Sequence, residues 1–532
     1  MSEIKDAARS EESNIARAVG VLSSATMLSR ILGLLRDVIT AGLFGAGGAM
    51  DAFFVAFRLP NMLRSLFAEG SLSASFVPVY SEVLEKEGEE ASHRFGRICF
   101  TLLTLVLVVV VLLGVLLAPW FIKVLAMGFA RDPEKFDLTV KLARMVFPYI
   151  GLVSLTALAG GILNARGTFI YPALAPVFLN VFIILSALAL SPFMETPVLS
   201  LAYGVILGGV SQFLLQLKPL GRTGFSYSPS FEFRDPALKR MLLILGPSVF
   251  GVAVYQLNLV ISTFLASWLR EGAVSFLYYA ERLFQLPLGV FAVSVGVASL
   301  PSLSRLAARE DWPAYHRTVR HSARLLWFVV LPASLGLIAL AEPIVALLFQ
   351  RGRFTPSMSV DVSAALRFYA LAMVPVATTR VLAQAFYALK DTKTPVKAAA
   401  ISLIVNFAAS LLFAFALGLE HGGLALATAV SSGVNAWWLA VKFKAKTGEN
   451  PFESLLGPLS RMMVASLLMA ALVIAAALCL PVWHDSGVGT MVRSFMVLPL
   501  VVFGAVSYAF ATKALRLPDL GELFRRLRGR EV

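Results

Sequence analysis

Seven ionisable residues lie within the first two apolar stretches of the 532-residue chain: Arg30, Arg36, Asp37, Asp51, Arg58, Arg64 and Glu69. The stretches run over 16–84 and turn at the glycine-rich run 45–48. A charge at bilayer depth is costly unless it faces a polar cavity, so several in succession point to a water-filled chamber in a multi-helix protein. Arginines predominate, and their planar fork binds oxyanions through paired, charge-assisted hydrogen bonds. At a rise of about 1.5 Å per residue, Arg30, Arg64 and, in the eighth span, Arg282 all come out near mid-membrane. A row of guanidiniums at that depth suits a di-anion such as a pyrophosphate.

Arg36 lies about 9 Å further along its helix than Arg30. Asp51 opens the next span beyond the glycine turn, so the two are expected to form an outward-side latch. The competing reading is a static pair that holds the first two helices together, and the same choice applies to the whole constellation. Interhelical ion pairs could lock a bundle, and arginines could snorkel to headgroups. Arg58 stands between these readings. Lys390 and Lys393, with Asp391 and Lys397, form a loop that either signals topology or touches a passing headgroup.

Enzyme chemistry is not expected. Hydrolysis or glycosyl transfer needs a paired acid and base, or a metal set, facing the membrane surface. The outer connections offer only scattered acids: Asp132, Glu134, Asp137 and Asp485. A G-x-x-x-x-G-K-[ST] phosphate loop is missing, which argues against ATP hydrolysis. His93, His316, His321, His421 and His484 sit at span edges or in loops without ligand spacing, and Cys99 and Cys479 are far apart. Neither a metal, a cofactor nor a disulfide framework is expected.

The elements that must position these residues are membrane helices. With 58% hydrophobic and 15% charged residues, the composition is that of a polytopic membrane protein. The net charge of +14 would suggest nucleic acid in a soluble chain, but here the basic residues fall in short loops and report orientation. Fourteen spans are read: two in 16–84, then the run 100–120, 137–163, 171–190 and 197–217. After a basic connection at 218–240 come 236–268, 273–302, 321–349, 359–388, 396–419 and 421–443, and finally 459–481 and 490–513. Lys/Arg-rich loops alternate with poor ones, which places both termini in the cytoplasm.

An internal repeat orders the spans. "FFVAFRLPNML" (53–63) answers "LYYAERLFQLP" (277–287), "ASFVPVYS" (74–81) answers "VASLPSLS" (297–304), Pro119 answers Pro343, Pro172 answers Pro395, and "GGVSQ" (208–212) answers "SGVNA" (432–436), at an offset of 223 or 224 throughout. Six spans per half give the halves the same orientation, related by an axis along the membrane normal. The expected fold is therefore an all-α polytopic membrane protein with fourteen transmembrane helices: two six-helix lobes related by a pseudo-two-fold, plus two C-terminal helices. The expected divisions are a cytoplasmic tail (1–15), an N-lobe (16–217), a linker (218–240), a C-lobe (241–443, its first span beginning at 236 or 241), the last two spans (459–513) and a basic tail (514–532).

The stretches "SRILGLLRDVITAGLFGAG", "DAFFVAFRLPNMLRSLFAEGSLSASFVPVYSE", "YYAERLFQLPLGV", "RGRF" and "KDTKTPVK" closely resemble the MurJ (MviN) family of bacterial lipid II flippases, in the multidrug/oligosaccharidyl-lipid/polysaccharide (MOP) exporter superfamily. The resemblance covers nearly the whole chain. It implies movement of undecaprenyl-pyrophosphate-linked disaccharide-pentapeptide to the outer leaflet of the bacterial inner membrane for peptidoglycan synthesis, with a lipid-tail groove built by the last two spans. Carried over, Arg30, Arg36, Arg64 and Arg282 match the family's essential arginines, Asp51 an acid of the outward gate and Glu69 an acid near the cavity portal. Gln285 departs from the pattern, because some members have a glutamate there. The resemblance further implies dependence on membrane potential or a monovalent counter-ion, and as partners lipid II, membrane lipids and cell-wall synthesis proteins, with a monomeric chain and no nucleic acid. Alternatives are an exporter of another polyprenyl-linked glycan or of a drug, a membrane enzyme, or a scaffold of cell-wall assembly. An arginine-lined chamber sits poorly with a cationic drug.

Overall fold

A computed structural model describes residues 2–66, 72–289, 293–479 and 489–517. Glu69, the stretch 480–488 with His484 and Asp485, and most of the basic C-terminal tail lie outside the described residues. The regular elements within them are helical, as the lack of water in a bilayer demands. The chain divides into two compact units, Met1–Trp268 and Leu269–Val532.

The first unit contains α1 (Ser2–Phe44), α2 (Gly48–Leu66), α3 (Leu72–Leu116), α4 (Ala118–Leu125), α5 (Pro133–Val146), α6 (Tyr149–Ala165), α7 (Ile170–Leu190), α8 (Leu199–Arg222) and α9 (Pro236–Ser267). Two of its starts are written in the sequence as acid-proline pairs. Asp132 accepts from the Lys135 N–H ahead of Pro133, and Asp235 accepts from Ala237 and Leu238 ahead of Pro236. The acid satisfies orphan donors while proline presets the first helical φ. The charged stretch between the second and third spans, expected as a loop, is instead helical on both sides of a break in α3 at Gly88 (φ 89, ψ −175). Glycine alone tolerates that non-helical backbone, so two helices meet across it and the chain changes direction there.

Packing in this unit follows small residues. A Cβ on Gly204 would meet Ile183 Cα at 2.7 Å, and one on Gly208 would meet Leu179 Cα at 3.1 Å; the absent side chains let α7 and α8 approach closely. The α3–α6 core holds Phe76, Tyr80, Phe95 and Ile162, and Ala237, Leu238 and Met241 of α9 are buried in the same cluster. That burial groups α9 with the first unit, although it is the seventh span in sequence order.

The second unit contains α10 (Ala273–Pro287), α11 (Val293–Ala308), α12 (Trp312–Ala339), α13 (Ala341–Phe349), α14 (Pro356–Leu371), α15 (Met373–Ala388), α16 (Lys393–Ser410), α17 (Glu420–Thr447), α18 (Leu456–Leu478) and α19 (Thr490–Ala514). Here α14 packs on α10 and α17, while α18 joins α12 to α19. The repeat extends to the breaks. The fourth span divides between α5 and α6 beside Pro148, and its counterpart divides between α14 and α15 close to Pro375. A six-residue π-helical stretch, Leu411–Ala416, follows α16, and a Cβ on Gly423 would come within 2.6 Å of its backbone.

Among the described residues, ten helical segments are long and apolar enough to cross a membrane, from Glu89–Leu116 to Val492–Ala514. The helices bearing the candidate arginines are not among them. In α2, Asp51, Arg58 and Arg64 share 19 residues, and α10 has only 15.

Candidate substrate site and gates

On α1, Arg30 is exposed and Arg36 half-buried. Arg36 donates through Nε and a terminal nitrogen to Asp37 Oδ1 at 3.0 and 2.7 Å, and through its other nitrogen to Asn180 Oδ1 at 3.1 Å. The Asn180 amide in turn donates to the Ser29 carbonyl at 3.2 Å, so α1 is fastened to α7 by a polar chain around one guanidinium. The buried Asp37 is the counter-charge. On α2, Arg64 is half-buried and donates to Asn61 Oδ1 at 3.0 Å, and Arg58 is half-buried.

Asp51 is buried at the start of α2 and accepts from Lys135 Nζ at 2.8 Å. The ammonium also lies 4.1 Å from the centre of the Phe129 ring, a cation–π contact that helps hold it in a partly apolar setting. The charges expected to meet across the glycine turn thus have other partners: Arg36 is bonded to Asp37 and Asn180, and Asp51 to Lys135. Sequence reading passed over Lys135 because it belongs to an outer connection, but three residues after Asp132 on a capped helix start it has the reach to turn inward.

In the second unit, Arg282 is half-buried on α10 with its guanidinium 5.8 Å from the Tyr278 ring centre. Its neighbour Glu281 accepts from Gln285 Nε2 at 2.8 Å, one helical turn on. The amide at 285 therefore serves as a donor that a glutamate could not supply. Lys390 and Lys393 are exposed, and Lys390 has φ 57. Between them Asp391 accepts from Lys446 Nζ at 2.7 Å and from Thr394 Oγ1 at 2.8 Å. Burial works to raise this carboxyl, but the Lys446 and Thr394 bonds outweigh it and hold it down at about 2.

Three further groupings carry no sequence signature of their own. Arg270 bridges Asp361 at 2.5 Å and Glu420 at 2.6 Å, joining the turn before α10 to the starts of α14 and α17. Its hydrogen bond to Asp361 pushes the guanidinium above its ordinary pKa, against the opposing effect of burial. His421, adjacent and buried, meets the Asp361 carbonyl at 2.9 Å. Arg493 of α19 is 2% exposed and donates to the Gln350 and Ala346 carbonyls at the end of α13, at 2.7 and 3.3 Å, where the helix presents its negative end.

The third grouping occurs twice. His93 meets Arg166 at 2.9 Å while Arg97 donates to Ser228 at 3.2 Å; at an offset of 223, His316 lies 3.9 Å from Glu449 and Arg320 donates to that same acid at 3.2 Å. These histidines clasp helix ends, and the constant offset is the signal that could have found them.

Fold and charge together define an all-α polytopic membrane protein that carries arginines within apolar helices. Residues 40–497 match the family model described as lipid II flippase MurJ. The chain belongs to the MurJ family of lipid II flippases. It is 37% identical over 518 residues to the probable lipid II flippase MurJ of Vibrio cholerae, covering 94% of this chain and 96% of that protein. Against the lipid II flippase MurJ of Burkholderia cenocepacia it is 37% identical over 463 residues, covering 86% and 89%. A solved lipid II flippase MurJ in an inward closed conformation superposes with TM-score 0.74 at 26% identity, over 93% of this chain and 98% of that one. An inward-facing MATE multidrug transporter of the MOP superfamily gives 0.65 at 17% identity, over 80% and 98%, and so shares the fold.

Proposed function

We propose that this protein is a lipid II flippase that carries undecaprenyl-pyrophosphate-linked disaccharide-pentapeptide from the cytoplasmic to the outer leaflet of the inner membrane by alternating access. The observation that carries the reading is the family membership of a chain that carries arginines within its apolar helices, since an anionic headgroup is the cargo that guanidiniums at depth would select. In this reading the chain crosses fourteen times with both termini cytoplasmic, as two six-helix lobes and two added helices. Arg30, Arg64 and Arg282, with Glu69, bind the pyrophosphate region. Arg36 and Asp51 act in gating, each through its own partner, and Arg58, Lys390 and Lys393 meet the headgroup in passage. The polyprenyl tail would run along α18 and α19, where a 290 Å³ apolar groove is lined by Ala476, Phe495, Met496, Pro499, Leu500 and Phe503. Lipid II, bilayer lipids and cell-wall synthesis proteins are the proposed partners, and membrane potential or a monovalent ion the proposed drive.

The test is leaflet accessibility of lipid II in cells depleted of the protein and complemented with wild type or with Arg30→Ala, Arg64→Ala and Arg282→Ala, singly and together. Each single variant is expected to impair flipping strongly, because a charge-assisted bond in a shielded site is worth about 1.5–3 kcal/mol. Wild-type flipping by the triple variant at matched expression would refute the assignment. A variant set that loses export of another polyprenyl-linked glycan but keeps lipid II would reassign the cargo.

A further inference from the structure

We propose that the groove lined by residues 233–243, where the chain enters α9, is a binding site for an anionic glycerophospholipid of the surrounding bilayer. The groove has a volume of about 460 Å³; the exposed Leu242 and Leu243 form its apolar side, with the buried Leu238 at its floor, and Phe233, Arg234 and Lys239 its rim. The chain leading into the groove is anchored. The Ser230 N–H donates to Thr101 Oγ1 at 3.0 Å, Arg97 donates to Ser228 Oγ at 3.2 Å, and the Phe100 ring carries those of Phe225 and Tyr227 at 5.5 and 6.0 Å. The segment is thus held along α3 while Phe231 and Phe233, edge to face at 6.0 Å, remain exposed. Exposed rings beside basic residues are the composition of a surface lying at headgroup level.

The charges select the headgroup. Asp235 also lines the groove, with one carboxylate oxygen held by the Ala237 and Leu238 N–H groups at 2.7 and 3.3 Å, and it offsets one of the two cations. Arg240 is drawn away to Glu82 at 3.3 Å. Arg234 and Lys239 are exposed and have no carboxylate partner among the described residues. With Asp235 counted, the lining keeps a net charge of +1 above an apolar trough, which complements a phosphodiester attached to acyl chains. Free phosphate would leave the leucines uncovered, and a zwitterionic headgroup would bring its own ammonium against the pair. The basic loops assign this end of α9 to the cytoplasmic side, where anionic lipid is encountered.

The full chain, reconstituted in neutral nanodiscs, is irradiated with photoactivatable phosphatidylglycerol or phosphatidylcholine at equal mole fraction, and cross-links are mapped by peptide mass spectrometry. Residues 233–243 are expected to be labelled at least about fivefold more by phosphatidylglycerol, the preference that one interfacial cation supplies. Arg234→Gln with Lys239→Gln should abolish the preference. Arg234→Lys should keep it, as should Arg309→Gln, which removes an exposed cation elsewhere; circular dichroism verifies that each variant is folded. Equal labelling by the two lipids would mean an ordinary annular lipid and overturn the proposal. So would a preference that survives the double variant, or displacement of the label by equimolar polyprenyl pyrophosphate, which would assign the groove to cargo.

Discussion

Lys135→Met would remove the ammonium from a carboxylate whose side chain is 1% exposed. Breaking a buried pair costs about 3–5 kcal/mol, and the low end is expected because Asp51 has further contacts. Thermal unfolding in detergent should show the loss, and Asp51→Asn combined with Lys135→Met should recover most of it. If Asp51 gates, that double variant will be stable yet deficient in flipping; full flipping would reduce the pair to a fastener. At Arg282, lysine should restore only part of the transport that alanine removes, since it keeps the charge without the fork. The arginines were legible in the sequence because an ionisable group in an apolar run is conspicuous. Their partners were not: Lys135 lies 84 residues from Asp51, and Asn180 lies 144 from Arg36. Such pairings depend on which helices are neighbours, and hydropathy does not encode that.

Helix-to-helix contacts give two sharper expectations. Gly204→Ala forces a methyl against the Ile183 backbone and should lower stability by about 1–3 kcal/mol, the usual cost of overpacking. Gly221→Ala on the same helix meets nothing within 4 Å and should be neutral in the same unfolding assay. The Asp391–Lys446 bond ties the turn before α16 to the end of α17. Its carboxyl titrates at about 2 in the folded protein against an ordinary 3.8, so its contribution is complete above about pH 4 and lost as pH falls toward 2. The stability difference between wild type and Asp391→Asn should therefore be constant from neutral pH to about pH 5 and shrink below about pH 4. A difference that instead changed around pH 6–7 would implicate another group. Proline and glycine signals announced many helix boundaries. The helical character of 82–97 on either side of Gly88 was hidden because its charges look like a loop, and the Gly88 backbone shows where the chain turns.

Over the whole molecule the repeat was the strongest legible feature, since five markers share one offset while individual spans are ambiguous. What it could not convey is that α9 packs its first turns into the α3–α6 core, because burial of Leu238 and Met241 depends on shape complementarity rather than on periodicity. Orientation is open to direct measurement. With Cys99→Ala and Cys479→Ser as background, Glu195→Cys should react with an impermeant maleimide in intact cells, and Glu87→Cys only after permeabilisation. The reverse pattern would invert the proposed topology.

The two units solve the same corner with opposite signs. In the first, the anion Asp51 at the start of α2 meets a cation on α5; in the second, the cation Arg270 before α10 meets acids on α14 and α17. All members of each set belong to one unit of the chain. Recombination that exchanges an entire half with a relative carries a matched set along, whereas a crossover inside a half separates the members and leaves an orphan charge. Chimeras with a relative joined at the unit boundary keep each set whole and should unfold at higher temperature than chimeras joined within a unit.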